Sequence, residues 1–163
     1  MDISLVRVDN RLVHGQILEA WVPFVKATRI VVADDDVAND FFRESVIRMA
    51  VPSEMEVTIT TIEEFSQHYK DRENKQQKTI ILFSNIGDVL RAVNRGFKFN
   101  RLNIGNIYSD HSRTRCSNSV LLDENDIRDI KALLKAGIRM ELQRIPRDKP
   151  IDIRQALNNK LED

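Results

Sequence analysis

The chain predicts an α/β domain with a mainly parallel sheet of about seven strands covered by helices on both faces. Three observations lead there. Short β-branched runs alternate with segments of helical apolar spacing along almost the whole chain. Some runs, such as Ile30-Val31-Val32-Ala33, leave no polar side, as strands buried on both faces do. The length of 163 residues suits one domain, 1–163, large enough to bury a sizeable core.

The elements follow in order. Residues 3–8 alternate apolar and polar and are rich in β-branched types, which predicts the first strand. Asp9 and Asn10 stop it, because short side-chain oxygens compete for backbone hydrogen bonds. Over 16–24, Ile17, Leu18, Ala20, Trp21 and Phe24 recur at helical spacing. Residues 29–33 read as a buried strand ended by Asp34-Asp35-Asp36, and a helix is expected over 39–49 with Phe42, Val46 and Met49 on one face and Pro52 beyond its end. Trp21 and the Phe41-Phe42 pair are most simply core residues. A strand over 56–60 precedes a short helix starting at Thr61, whose spacing to Glu64 is that of a capping box. Residues 71–77 are too hydrophilic to pack and read as a solvated loop.

Strand character returns over 79–83, and a helix over 86–95 stops at Gly96, a left-handed cap. Another strand covers 102–104. The segment 105–118 is polar and shows neither period, and 120–122 make a short strand. Asp123 caps the clearest helix, with Ile127, Ile130, Leu133 and Leu134 in one stripe and Gly137 as its stop. Ile138, Met140, Leu142 and Arg144 alternate as in a strand, and 151–161 have the spacing of a final helix.

Composition excludes several functions. Lys plus Arg number 25 and Asp plus Glu number 25, so there is no global positive field to draw a nucleic acid. The apolar runs are too short to span a bilayer, and the N-terminus lacks a signal-peptide layout, which predicts a cytoplasmic chain. One cysteine, Cys116, cannot form an internal disulfide and reads as an incidental thiol. Glycine-rich dinucleotide and ATP loops are missing, and the 3 histidines are widely separated, so neither a cofactor nor a metal is expected.

Parallel sheets bind ligands at the C-terminal ends of their strands. The segment reaching His14, the Asp34 segment, Ser84-Asn85 and Gly105-Asn106 all belong at that edge. His14 falls at or just before a helix start, where free N–H groups and the helix dipole favour an anion. With Arg11 three residues earlier and Gly15 allowing close backbone approach, His14 is equipped to hold a phosphoryl group. The donors would be Arg11 and the N–H groups of Val13, Gly15 and Gln16, with Asp9, Asn10, Ser84, Asn106 and His111 as further lining. Local chemistry alone also allows His14 as a surface or capping side chain and Arg11 as a surface partner of Asp9. The three aspartates at 34–36 fit turn and capping roles better than an acidic phosphoacceptor cluster, and His68 reads as a surface residue at a helix end.

Arg7-Val8-Asp9-Asn10-Arg11-Leu12-Val13-His14-Gly15-Gln16-Ile17, followed by Trp21, closely resembles the opening of the IIB subunits of the bacterial sugar phosphotransferase system, in the mannose/fructose/sorbose class. The segments 30–35 and 102–106, Ala136-Gly137-Ile138 and Pro146 match in the same order. The resemblance implies a fold of the kind derived above and a relay. Phosphorylated HPr charges a IIA protein, IIA passes the phosphoryl group to His14, and His14 gives it to a sugar such as mannose, fructose or sorbose during uptake through membrane subunits IIC and IID. It implies a phosphotransferase of the protein-Nπ-phosphohistidine–sugar type, peripherally associated with the membrane complex, with IIA, IIC and IID as separate polypeptides; family members often associate, so a homodimer is compatible with it. Which sugar and which imidazole nitrogen are involved stays open. Rival readings are a regulatory module whose phosphorylated His14 is read by another protein, and a nucleotide-binding domain.

Overall fold

The computed structural model describes residues 2–69 and 77–161, so the loop expected over 71–77 lies outside the described residues apart from Gln77. The strands are β1 (Asp2–Asp9), β2 (Arg29–Ala33), β3 (Glu56–Thr60), β4 (Lys78–Phe83), β5 (Arg101–Asn106), β6 (Thr114–Arg115), β7 (Leu121–Leu122), β8 (Arg139–Leu142) and β9 (Ile151–Asp152). Among the described residues, seven of them form one sheet in the order β3-β2-β4-β1-β5-β8-β9, parallel throughout except for β9 on β8. The helices are α1 (Val22–Val25), which continues a π turn over Gln16–Trp21, then α2 (Asp35–Ala38), α3 (Phe41–Ala50), α4 (Ile62–His68), α5 (Ile86–Asn94), α6 (Glu124–Lys135) and α7 (Ile153–Leu157), with a 3₁₀ turn over Asn158–Leu161.

Side-chain alternation explains the two-sided core. Val6, Val8, Val31, Ala33, Ile81, Phe83, Leu102 and Ile104 face one way, against Ile62, Phe65, Ile86, Val89, Ile130, Leu133 and Ile153 of the helices. Ile30, Val32, Ile80 and Leu82 face the other way, against Ile17, Trp21 and Val37. Each Val, Leu, Ile or Phe among them contributes about 1.5–3 kcal/mol by leaving water. Strand β1 sits between β4 and β5, so the chain leaves it in one direction for β2 and later crosses to the other side for β5. The C-terminal end of β1 is therefore the crevice where a doubly wound sheet takes its ligand.

Several expectations need correcting. The helix over 16–24 opens as a π turn, in which the Val22 N–H reaches Ile17 O. Pro23 explains this, since it has no N–H to give to the carbonyl four residues back and its ring crowds that carbonyl. The helix expected over 39–49 is α3, capped by Asp40, and a short unexpected helix, α2, capped by Asp34, precedes it. Phe41, Phe42 and Met49 are 84%, 76% and 85% exposed, and Val46 is exposed as well, so the stripe expected in the core faces outward. Ile47 makes the packing contact instead. Helical period shows which residues share a stripe, and leaves the direction of that stripe to the neighbouring elements.

The segment 105–118 is less irregular than expected. Ile107 bridges to Val120, and β6 pairs antiparallel with β7, which is shorter than the expected strand over 120–122. The tail over 151–161 begins as β9, and only then turns helical at Ile153. The other elements stand close to their expected ranges, with Gly96 and Gly137 at positive φ as helix stops.

Candidate functional site

Strand β1 ends in Asp9, a fully buried carboxylate. The chain then reverses: Leu12 N donates to Asp9 O at 2.9 Å, and Leu12 takes a left-handed φ of 57°. A non-glycine residue there costs about 1 kcal/mol or more, and Leu12 is held by burial in the second core. The reversal brings His14 back over the strand end. Its Nε2 lies 2.8 Å from Asp9 Oδ2, and its Nδ1 accepts the Gln16 N–H at 3.3 Å. An ionised carboxylate only accepts, so in the neutral ring Nε2 carries the proton and Nδ1 keeps its lone pair.

Arg11 closes the cluster. Its backbone N and Nε reach Asp9 Oδ1 at 3.0 and 3.2 Å, and its Nη2 reaches Asp9 Oδ2 at 3.2 Å and Gln16 Oε1 at 2.9 Å. The pair with Asp9 is thus real, but one-sided: the Arg11 side chain is 43% exposed and Asp9 is 0% exposed. Burial works to raise the Asp9 pKa, yet the hydrogen bonds from His14 and Arg11 and the charge of Arg7 outweigh it and bring the carboxyl down to about 2. Asp9 is therefore ionised at every physiological pH.

The remaining expected residues divide into two groups. Asn10 N donates to Asn106 O at 2.9 Å, Asn106 Nδ2 bonds Asn10 Oδ1, and Asn10 Nδ2 reaches Tyr108 O at 3.3 Å, so both asparagines join the edge of the site. Gly15 has an ordinary right-handed φ of −53°, and a Cβ there would meet nothing within 4 Å. The backbone needs no glycine at this position, and the space beside it is open. Val13 packs against the second core, and the Gln16 N–H already faces Nδ1. Ser84 lies at the same sheet edge but is held by Asp34, with Oγ 2.5 Å from Oδ2. His111 is exposed, and among the described residues no hydrogen bond ties it to the Asp9 cluster.

Asp34 serves as a helix cap, accepting the Val37 N–H at 2.9 Å, and His68 is exposed at the end of α4. Cys116 is half-buried, and burial pushes its thiol pKa up, away from the reactive thiolate. Arg7 is what sequence reasoning missed, treating it as an ordinary polar strand residue. It is 0% exposed and donates to Asp9 Oδ2 at 3.0 Å. The signal was a guanidinium midway between Val6 and Val8, where both flanking side chains enter the core. Among the described residues no group of His, Cys, Asp and Glu is arranged to hold a metal, and no helix is long and apolar enough to cross a membrane.

Comparison with known proteins gives consistent results. Residues 3–163 match the family described as PTS system sorbose subfamily IIB component. The chain is 32% identical to the sorbose-specific EIIB component of Klebsiella pneumoniae, over 97% of this chain and 96% of that protein. It is 30% identical to the fructose-specific EIIB component of Bacillus subtilis (strain 168), over 98% of both. It is also 30% identical to the mannose-specific EIIAB component of Escherichia coli (strain K12), where it spans 91% of its own length and 46% of the relative. The crystal structure of the IIBSor domain of the Klebsiella pneumoniae sorbose permease superposes with a TM-score of 0.89 at 32% identity, over 98% of each chain.

Proposed function

Because this chain belongs to the sorbose-subfamily IIB components of the phosphotransferase system, we propose that His14 is its phosphoacceptor. It receives the group from a phosphohistidine of a IIA protein and delivers it to a sugar entering through IIC and IID membrane subunits. The observation that carries this is the 2.8 Å contact of Asp9 Oδ2 with His14 Nε2, which assigns the proton to one nitrogen and leaves the lone pair on the other, where the long 3.3 Å contact from the Gln16 N–H has to yield. As Nδ1 bonds to phosphorus, the phosphorus–nitrogen bond of the donor breaks and the donor ring leaves with its electron pair. In delivery the sugar oxygen attacks phosphorus, Nδ1 regains its lone pair, and the hydroxyl proton is released. Asp9 holds the Nε2 proton through both steps.

Phosphoryl transfer asks for positioning and for neutralisation of charge on the three spectator oxygens. Arg11 is the donor at hand, half-exposed and five residues from Gln16, and the open space beside Gly15 leaves room for the group and its donor. A IIA protein supplies the donor histidine; one relative carries both functions in its name, as an EIIAB component. Relatives named for sorbose, fructose, mannose and N-acetylgalactosamine leave the sugar unassigned.

The test is to incubate the protein with phosphoenolpyruvate, enzyme I, HPr and a cognate IIA, then locate the label. Acid-labile, alkali-stable phosphate on His14 that passes to sugar in vesicles bearing IIC and IID supports the relay. Labelling without any sugar transfer would make the chain a regulatory module, and no label on His14 would remove the reading.

A further inference from the structure

We infer that Arg7 is a positioning residue for His14, acting through Asp9 and seated by Gly105. The guanidinium is completely buried in the middle of β1. Its Nη1 donates to Asn103 Oδ1 at 2.5 Å and Gln143 O at 2.8 Å, and its Nη2 donates to Asp9 Oδ2 and Arg144 O, both at 3.0 Å. The Trp21 ring lies 5.4 Å away, and its Nε1 donates to the same Arg144 carbonyl at 2.9 Å. Four acceptors, drawn from β1, β5 and the segment after β8, thus take the two Nη groups of the planar guanidinium. Lysine, with donors radiating from a single atom, cannot reproduce it.

Room for this group is built into the sheet. Strand β1 pairs Val8 with Ile104 and then Asp9 with Asn106, so β5 has one residue left over, Gly105. A methyl group there would overlap Nη2 and Cζ of Arg7. Gly105 has no positive φ to explain its identity. The guanidinium occupies the space that a side chain would take.

The arrangement divides labour between two arginines. Arg11 is 43% exposed, and by exchanging its side-chain bonds to Asp9 and Gln16 it can turn toward an arriving phosphoryl group. Arg7 is not free to move. When the Arg11 side chain turns away from Asp9, the carboxylate loses the two hydrogen bonds from Nε and Nη2 while its burial continues to push its pKa upward. Arg7 is then the fixed cation that keeps Asp9 ionised and Oδ2 aimed at Nε2, so the same imidazole nitrogen stays nucleophilic throughout the cycle. This deepens the proposed role of His14 and rests on it for its kinetic consequence alone.

The test compares wild type with Gly105→Ala, Arg7→Lys and the double variant. The readouts are the ¹⁵N shifts of the His14 ring in the unphosphorylated protein, the pH profile of phosphoryl acceptance, and thermal melts. Gly105→Ala replaces no charged or titrating group, yet should move the ring from the single Nε2–H tautomer toward a mixture. It should displace the acid limb of the rate profile from its wild-type position and lower kcat about tenfold with KM for IIA unchanged. The double variant should be no worse than the poorer single, because both disturb the same contact. Folded Gly105→Ala and Arg7→Lys proteins with wild-type ring shifts and acid limb, whatever their melting temperatures, would overturn the inference. Should both unfold, Asn103→Ala, which removes one acceptor from Nη1 without touching Asp9 or His14, carries the same test by the same criteria. If His14 in wild type takes no phosphate, the proposed function fails, while the ring shifts still decide whether Arg7 sets the tautomer.

Discussion

The Nε2 of His14 lies 2.8 Å from Oδ2 of Asp9, five residues earlier and on the last position of a buried strand. That contact turns a surface imidazole into one with an assigned proton and a defined nucleophilic nitrogen. It also makes the ring's chemistry depend on the charge of a group that solvent does not reach.

Replacing His14 by alanine should abolish phosphate labelling and leave the melting temperature close to wild type, since the ring packs in no core cluster. Mass spectrometry after alkaline work-up reads the label. Cys116→Ser should label normally, because burial holds the thiol in its protonated form. Labelling that persists in His14→Ala would move the acceptor elsewhere.

Asp9→Asn should damage both transfer and stability. The isostere keeps the shape but leaves the buried Arg7 without its counter-charge, a change that costs about 3–5 kcal/mol in comparable sites. Denaturant melts and single-turnover transfer on the same sample measure the two effects. An Asp9→Asn protein as stable as wild type would show that the carbonyl acceptors of Gln143 and Arg144 satisfy Arg7 alone.

Arg11→Ala should separate the two properties. Removing a donor that stabilises transition-state charge costs about 3 kcal/mol, roughly a hundredfold in rate. Stability should fall far less than in Asp9→Asn, since Arg7, His14 and the backbone N–H of residue 11 still hold the buried carboxylate. Arg11→Lys should fall between wild type and alanine. Near-normal transfer in Arg11→Ala would assign the phosphate to backbone donors alone.

Two carboxylates give opposite pH signatures. Asp9 is lowered from 3.8 to about 2, so its contribution is complete above about 4 and drains away as the pH falls toward 2. Asp126 is raised from 3.8 to about 6 by burial and by the neighbouring Asp123 and Asp129, so it is harmless below about 4, and its cost to stability builds between about 4 and 6 and is complete above that. Asp126→Asn should therefore melt higher than wild type at about pH 7.5, by an increment that shrinks to nothing at about pH 4. An increment independent of pH would refute the assignment.

Phe41→Ser and Phe42→Ser should leave the melting temperature nearly unchanged, because both rings stand in solvent. A large loss of stability would return them to the core position that helical spacing suggested.

Much of the molecule was legible because its signals are local. Buried runs such as residues 30–33, the caps Asp123 and Thr61, and the stops Gly96 and Gly137 are properties of a few adjacent residues, and the structure places each where the sequence pointed. The cluster of Arg11, His14 and Gln16 was legible for the same reason, since all three lie close together in sequence, where the loop after β1 enters the π turn. Distance along the chain set the limit. Asn103, Gly105, Gln143 and Arg144 meet Arg7 from segments far away in sequence, and no local pattern records that a guanidinium is buried among them. The same holds for α3: period shows that Phe42, Val46 and Met49 share a stripe, while the packing of Ile47 decides that the stripe faces water. Local hydrogen-bonding and φ preferences act within a turn or two and can be read in order. Which charge is buried, and which apolar face is left bare, depends on how separate elements share one interior, and only the assembled sheet decides that.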